Sequence, residues 1–256
     1  MDQEPLTYDS QSIPLAAPSF EITHETAPSE SLVVGFSNYG LAGLTAADFL
    51  VDHLDLEVTG HVSVDQLPAI TPFEDGTPRH HTRFFSRPDL DVTVLVGELF
   101  VPMFAAQPFS NAILDWTTDR GVSEVTVLSG IPVAHGPEDH KAFYIATRDY
   151  QSRRLGDGTV TPMGNGFLDG VNARLVERGM DSDLAVGVLV TPVHPQVPDV
   201  QAAIRLVSAV AGLYDLAVDT EPLQAFADEV REYYAELGSR LESVSEQQRP
   251  EDRMYM

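Results

Sequence analysis

The chain of 256 residues carries 15 Lys+Arg against 39 Asp+Glu, a formal net charge of −24, and contains no Cys. Disulfides, thiolate metal sites and Cys nucleophiles are therefore excluded, and nucleic acid or an anionic membrane would need a concentrated basic face that is missing here. Apolar residues at 43% predict an ordinary folded core, and no apolar run approaches the roughly 20 residues of a bilayer span.

The acid is spread along the chain and Lys141 is the only lysine. That pattern predicts a halophilic, archaeal-type protein. At 1 M salt the Debye length falls to ~3 Å, so self-repulsion weakens while carboxylates keep the surface hydrated. The opening Met1-Asp2-Gln3-Glu4-Pro5 lacks the cationic and apolar segments of a secretory leader, so a cytoplasmic location is expected.

In chain order, residues 1–30 are polar and broken by Pro, with one extended stretch at 19–23, and read as an N-terminal arm. Leu32-Val33-Val34-Gly35-Phe36 has the length and continuity of a buried strand, and residues 41–54 read as a helix rich in Ala and Leu. Strands are expected at 56–64 and 92–99, with a loop rich in Pro, His and charge (68–79) between them. Phe109, Ala112, Ile113 and Trp116 fall at helical spacing ahead of Gly121, and 125–128 follow as a strand. Phe167, Leu168, Val171, Leu175 and Val176 predict a helix stopped by Gly179, and 184–190 a strand covered on both faces. Val200, Ala203, Ile204, Val207, Val210 and Ala211 form the cleanest helical stripe, with Asp199 as its N-cap.

Alternating strands and helices predict one α/β domain over 31–220, a three-layer α/β/α sandwich around a mainly parallel sheet. A C-terminal helix over 221–244 follows. Its seam of Leu223, Phe226, Val230, Tyr233, Leu237, Leu241 and Val244 has nearly heptad spacing. The seam suits its own domain or another subunit equally. Residues 245–256 are polar, interrupted by Pro250, and read as a flexible tail ending in Met254-Tyr255-Met256.

Candidate chemistry is sparse. His135-Gly136-Pro137-Glu138-Asp139-His140 groups two imidazoles with two carboxylates, but Pro137 blocks the helix that would align them, so a solvated loop is expected. His80-His81 is expected on the surface. Ser37 follows a strand, yet Tyr39 stands where a nucleophile elbow needs Gly. The Gly35–Gly40 turn, like Gly164-Asn165-Gly166, matches neither a P-loop nor the full dinucleotide fingerprint, so its glycines are expected to serve tight turns. No catalytic residue, metal site or cofactor is assigned. The tail stands out, because a hydrophobic residue, Tyr and a final residue form the pattern by which proteasome activators dock on the core particle.

The chain resembles the proteasome assembly chaperone 2 family in its archaeal branch. The resemblance rests on Leu32-Val33-Val34-Gly35-Phe36 with Gly40, Gly43 and Ala46-Ala47-Asp48-Phe49-Leu50. It continues through Ala112-Ile113-Leu114, Gly121-Val122, Gly130-Ile131-Pro132, Phe143-Tyr144-Ile145-Ala146-Thr147, Gly164-Asn165-Gly166, Pro198-Asp199 and Gly212-Leu213. Ser37-Asn38-Tyr39 departs from it, being bulkier than the Gly-rich turn of relatives.

The resemblance implies a non-catalytic, homo-oligomeric α/β/α protein that binds proteasome subunits. Met254, Tyr255 and Met256 would dock on the α-subunits of the core particle, as in archaeal members with the same ending. Phe226, Val230, Tyr233 and Leu237 are the residues expected between subunits. The alternative is a small-molecule or nucleotide-binding α/β enzyme using the Gly35–Gly40 turn and the His135–His140 loop.

Overall fold

The structure is a computed structural model. It describes residues 17–225 and 227, apart from 135, 157 and 195–197. In chain order its strands and helices are β1 (Ser19–His24), β2 (Ser31–Phe36), α1 (Ala42–His53), β3 (Glu57–Asp65), β4 (Phe73–Glu74), β5 (Thr77–Pro78), β6 (Thr82–Ser86) and β7 (Thr93–Gly97). Then come α2 (Met103–Arg120), β8 (Glu124–Ile131), β9 (Phe143–Ala146), α3 (Arg148–Arg154), β10 (Thr161–Pro162), α4 (Gly170–Met180), β11 (Ala185–Pro192) and α5 (Val200–Tyr214).

Nine of these strands form one sheet in the order β1-β3-β6-β7-β2-β8-β11-β9-β10. The central block β7-β2-β8-β11 is parallel, as the strand–helix alternation predicts. Its flanks are not. β1, β3 and β6 pair antiparallel up to β7, and β9 lies antiparallel to β11. Every residue of β2, β7 and β11 is buried, because helices cover both faces. Alternation along β2 sends Val33 to the core under α1 and α5, and Leu32, Val34 and Phe36 to the core under α2 and α4.

Residues 19–24, expected within an arm, belong to the sheet as its edge strand, paired from Ser19↔Asp65 to His24↔Gly60. The reason is their alternation. Phe20 meets Phe109 edge-on at 5.0 Å, and the buried His24 ring fits between Phe84 and Trp116. The helix expected from Phe167 begins only at Gly170, and Phe167 itself is fully exposed. Gly179 lies inside that helix, not beyond it. Residues 221–225 are helical, and Leu223 and Ala227 are buried in the core under α1 and α5. The first position of the C-terminal seam thus packs on its own domain.

Asp199 caps α5 as the sequence predicts: its Oδ1 accepts from Ala202 N–H at 2.9 Å and its Oδ2 from His194 N–H at 3.2 Å. Burial opposes ionisation of this carboxyl, but these hydrogen bonds prevail and hold its pKa below the usual carboxylate value.

Candidate functional site

In α/β sheets, ligands and partners gather at the carboxyl ends of the parallel strands, where neighbouring strands send their helices to opposite faces. Here that point lies between β2 and β7: α1 leaves β2 for one face and α2 leaves β7 for the other. A crevice of about 740 Å³ opens there, lined by Phe36 to Leu41, by Glu98 to Val101, and by Met103, Asp169, Gly170, Val171 and Pro198.

The Gly35–Gly40 turn forms one wall. Its glycines are occupied by packing, since a Cβ on Gly35 would stand 2.2 Å from Gly43 O and one on Gly40 would stand 3.0 Å from Val193 Cβ. Ser37 Oγ donates to Glu98 O at 2.9 Å, so the hydroxyl is tied to β7's exit loop and is not paired with a base. Leu41, a non-glycine residue at φ 49°, caps α1 with its side chain partly exposed at the crevice. Such left-handed backbone costs on the order of 1 kcal/mol.

Charge is scarce in the crevice. Glu98 binds Arg79 through both carboxylate oxygens and lies 3.6 Å from Arg83 Nη2. Burial pulls the Arg83 pKa below its usual value. Arg79 also reaches Glu74, which anchors the β4–β5 hairpin beside the crevice. The hairpin itself turns on Asp75 and Gly76, both at positive φ, and exposes Phe73.

The opposite end of the parallel block is closed by a buried polar plug. Arg154 Nε donates to Glu124 Oε1 at 2.8 Å, and Tyr214 OH donates to the same oxygen at 2.7 Å. With that direction fixed, Thr126 Oγ1 donates to Tyr214 OH at 2.6 Å and accepts from Tyr150 OH at 2.7 Å. Burial pushes the Tyr150 hydroxyl up to about 12, and Tyr214 well above its ordinary value. A plug at the amino ends of the strands stabilises the sheet and leaves the other end for contact.

Within 135–140, the segment expected as a solvated loop, residues 137–139 form one 3-10 turn. Asp139 Oδ2 accepts from Gly136 N–H at 3.1 Å, and no group of three or more His, Asp or Glu side chains suited to a metal occurs among the described residues. His80 stacks on His61 at 3.7 Å. His81, expected at the surface, is instead buried with Nδ1 beside Thr82 Oγ1 at 2.9 Å. Met254, Tyr255 and Met256, and likewise Phe226, Val230, Tyr233 and Leu237, lie outside the described residues.

The sequence profile of the PAC2 family matches residues 32–237. The chain belongs to the PAC2 family. This PAC2 protein is 22% identical over 226 residues to an uncharacterized protein of Methanocaldococcus jannaschii, covering 88% of this chain and 92% of that one. Its fold matches Pyrococcus furiosus PbaA, described as an archaeal homolog of proteasome-assembly chaperone. The TM-score is 0.78 at 20% identity, over 94% of this chain and 100% of that chain. It also matches Pyrococcus furiosus PbaB, described as an archaeal proteasome activator, with TM-score 0.70 at 17% identity over 86% and 99% of the two chains.

The sequence of this PAC2 protein marks one wall of the crevice, the Gly35–Gly40 turn, but not the wall opposite. Its wall-formers Phe100 and Met103 lie in a loop and at a helix start, where periodicity carries no signal. The hint to that opposite wall is an apolar string, Leu99-Phe100-Val101-Pro102-Met103-Phe104, that continues past the strand.

Proposed function

We propose that this PAC2 protein is a cytoplasmic proteasome-binding chaperone or adaptor, without chemistry of its own, that docks its tail on the α-ring of the core particle. Docking there assists assembly or regulates access. Family membership across residues 32–237 carries the reading; the descriptions of PbaA and PbaB, two proteins of the same fold, agree with it.

In this reading Tyr255 fills a pocket between neighbouring α-subunits, the Met256 carboxylate pairs with a lysine there, and Met254 adds apolar contact at the edge. A Tyr brings about 150–250 Å² of surface, up to ~4–6 kcal/mol of gross transfer free energy at ~25 cal/mol per Å². Ordering the tail offsets part of that. The 12 residues 245–256 span at most ~40 Å when extended, enough to reach from a body standing on the ring. Subunit contact through Phe226, Val230, Tyr233 and Leu237 would present several tails at once and raise avidity.

The test is binding to purified core particle in molar KCl. Tyr255→Ala should weaken each site by about 2–4 kcal/mol, as anchor residues do. One Gly added after Met256 displaces the carboxylate and should cost a similar amount. If both altered proteins bind like the parent, the tail is not the docking element.

A further inference from the structure

We propose that the loops at the carboxyl ends of the parallel strands form a second contact surface. It would hold another polypeptide that presents an apolar patch bordered by Lys and Arg. This goes beyond tail docking and uses none of its residues.

The first observation is where the apolar side chains stand. Among the described residues, every large exposed hydrophobic except Val58 and Met180 lies at this one end of the molecule. Register explains how they converge. β2, β7, β8 and β11 run toward this end, β3 ends there, and β6 and β9 start there. Tyr39 therefore meets the crevice from the β2 turn, Phe100 from the β7 exit and Met103 from the start of α2, while Phe104, next to Met103 in the first turn of α2, stands exposed outside it. Phe73 stands on the β4–β5 hairpin tied to the crevice through Arg79 and Glu98, and Phe167 precedes Asp169 of the crevice wall. Scattered exposed apolar residues are ordinary; nearly all of them on one end are not.

The second observation is size. Covering those six side chains would remove on the order of 800 Å² from water at roughly 150–250 Å² each when fully exposed. That is about one partner's share of a standard specific interface. A small ligand in the crevice alone would leave Phe73, Phe104 and Phe167 in solvent.

The third observation is charge. The rim exposes Asp65, Glu74, Asp75, Glu138 and Asp169, against Lys141 and the partly buried Arg79. A second copy would set the same carboxylates against each other, which opposes self-association. So would this chain's own C-terminal segment, where 228–256 hold eight Asp+Glu against four Arg. A partner with cations around an apolar centre matches both parts of the surface.

The probe is a labelled amphipathic peptide with a Leu/Phe face bordered by Lys and Arg, compared with the same peptide carrying Glu at the bordering positions. Anisotropy is read with the full-length protein in about 0.5 M and about 3 M KCl. The cationic peptide should bind at least about tenfold tighter in the lower salt, and that preference should narrow in the higher, where charges are screened within a few Å. Phe100→Asp with Phe104→Asp and Phe167→Asp should lose about tenfold or more in binding. Phe73→Ser, a single change on an exposed hairpin, should lose less, in the same direction. Unchanged far-UV spectra separate this from unfolding.

Equal binding of the two peptides, no binding of either, or an Asp variant that binds like the parent would each overturn the proposal. So would an Asp variant whose mass by light scattering falls below the parent's, since the surface would then be a self-contact. Core-particle binding of Tyr255→Ala reports on the tail alone, so either reading can fail while the other stands.

Discussion

A Cβ on Gly43 would stand 2.0 Å from the carbonyl oxygen of Leu128, so the first turn of α1 rests directly on the backbone of β8. The same contact continues to β2, where a Cβ on Gly35 would stand 2.2 Å from Gly43 O. These two glycines set the depth of α1 and with it the crevice wall formed by Asn38 to Leu41.

Gly43→Ala must therefore lift α1 from the sheet, because the obstructing atom is backbone and cannot rotate away. The expected loss is about 3 kcal/mol, at the upper end of overpacking effects. Gly212→Ala is the contrast. Nothing lies within 4 Å of its Cβ position inside α5, so better helix propensity should raise stability by about 0.5–1 kcal/mol. Urea unfolding of both variants checks this, and equal effects would remove the argument for close backbone packing.

The polar plug makes a second prediction. Glu124 is almost fully buried and Arg154 is the cation bonded to it. Arg154→Met would leave that carboxylate in the interior without its cation and should cost about 3–5 kcal/mol. Tyr214→Phe removes one hydrogen bond to it, at 2.7 Å, and leaves Thr126 Oγ1 without an acceptor; about 1–3 kcal/mol is expected. Because both variants act through Glu124, their double mutant should fall short of the sum of the two losses. Additivity would show that the plug is not one unit.

How much of this could be read from residues alone divides by element. The buried runs at Leu32–Phe36 and Val186–Val190, the Val200–Val210 stripe and the Asp199 cap each carry a local pattern strong enough to place them. β6 escaped because Thr82-Arg83-Phe84-Phe85-Ser86 sits beside a stretch full of Pro and His and is defined by its neighbours β3 and β7. The plug joins Ser31, Glu124, Tyr150, Arg154 and Tyr214, spread across most of the chain, through a sheet register that no local pattern reveals. For the same reason the crevice became visible only when three loops were brought to one end.

Histidine burial predicts sensitivity to mild acid. In the neutral ring His24 Nδ1–H donates to Thr26 O at 2.7 Å and Nε2 accepts from Thr59 Oγ1 at 3.3 Å, with the ring held between Phe84 and Trp116. Burial lowers the pKa of His24, His61 and His81 below the ordinary 6.5. The unfolded chain then binds more protons than the folded one below about pH 6.5, so stability is full above that value and declines as pH falls. Each such group contributes up to about 1.4 kcal/mol per pH unit within its window. Thermal melts between pH 8 and pH 5 should show this decline, and His24→Gln with His81→Gln should flatten it. A parent protein with the same midpoint at both ends would contradict the burial argument.

Salt should act more strongly than pH. A net charge of −24 on one small domain repels itself over ~30 Å at 0.01 M salt but over only ~3 Å at 1 M. Internal ion pairs do little to relieve this, since several of the fifteen Lys+Arg already sit on partners such as Glu98, Glu124 and Asp89. Stability should therefore climb steeply from millimolar to molar KCl, and most steeply at the low end, where screening changes fastest. Sodium sulfate, which also strengthens apolar burial, should stabilise further at equal ionic strength, whereas a purely electrostatic effect would make the two salts equivalent. Replacing four exposed acids remote from the crevice, Glu57, Asp91, Asp119 and Asp183, by Asn or Gln lowers the charge to −20 without touching the core. That variant should tolerate low salt better than the parent and differ little from it at 2 M. Unfolding midpoints across the KCl series decide the matter. A parent protein equally stable throughout would sink the account of its acidity as an adaptation to salt.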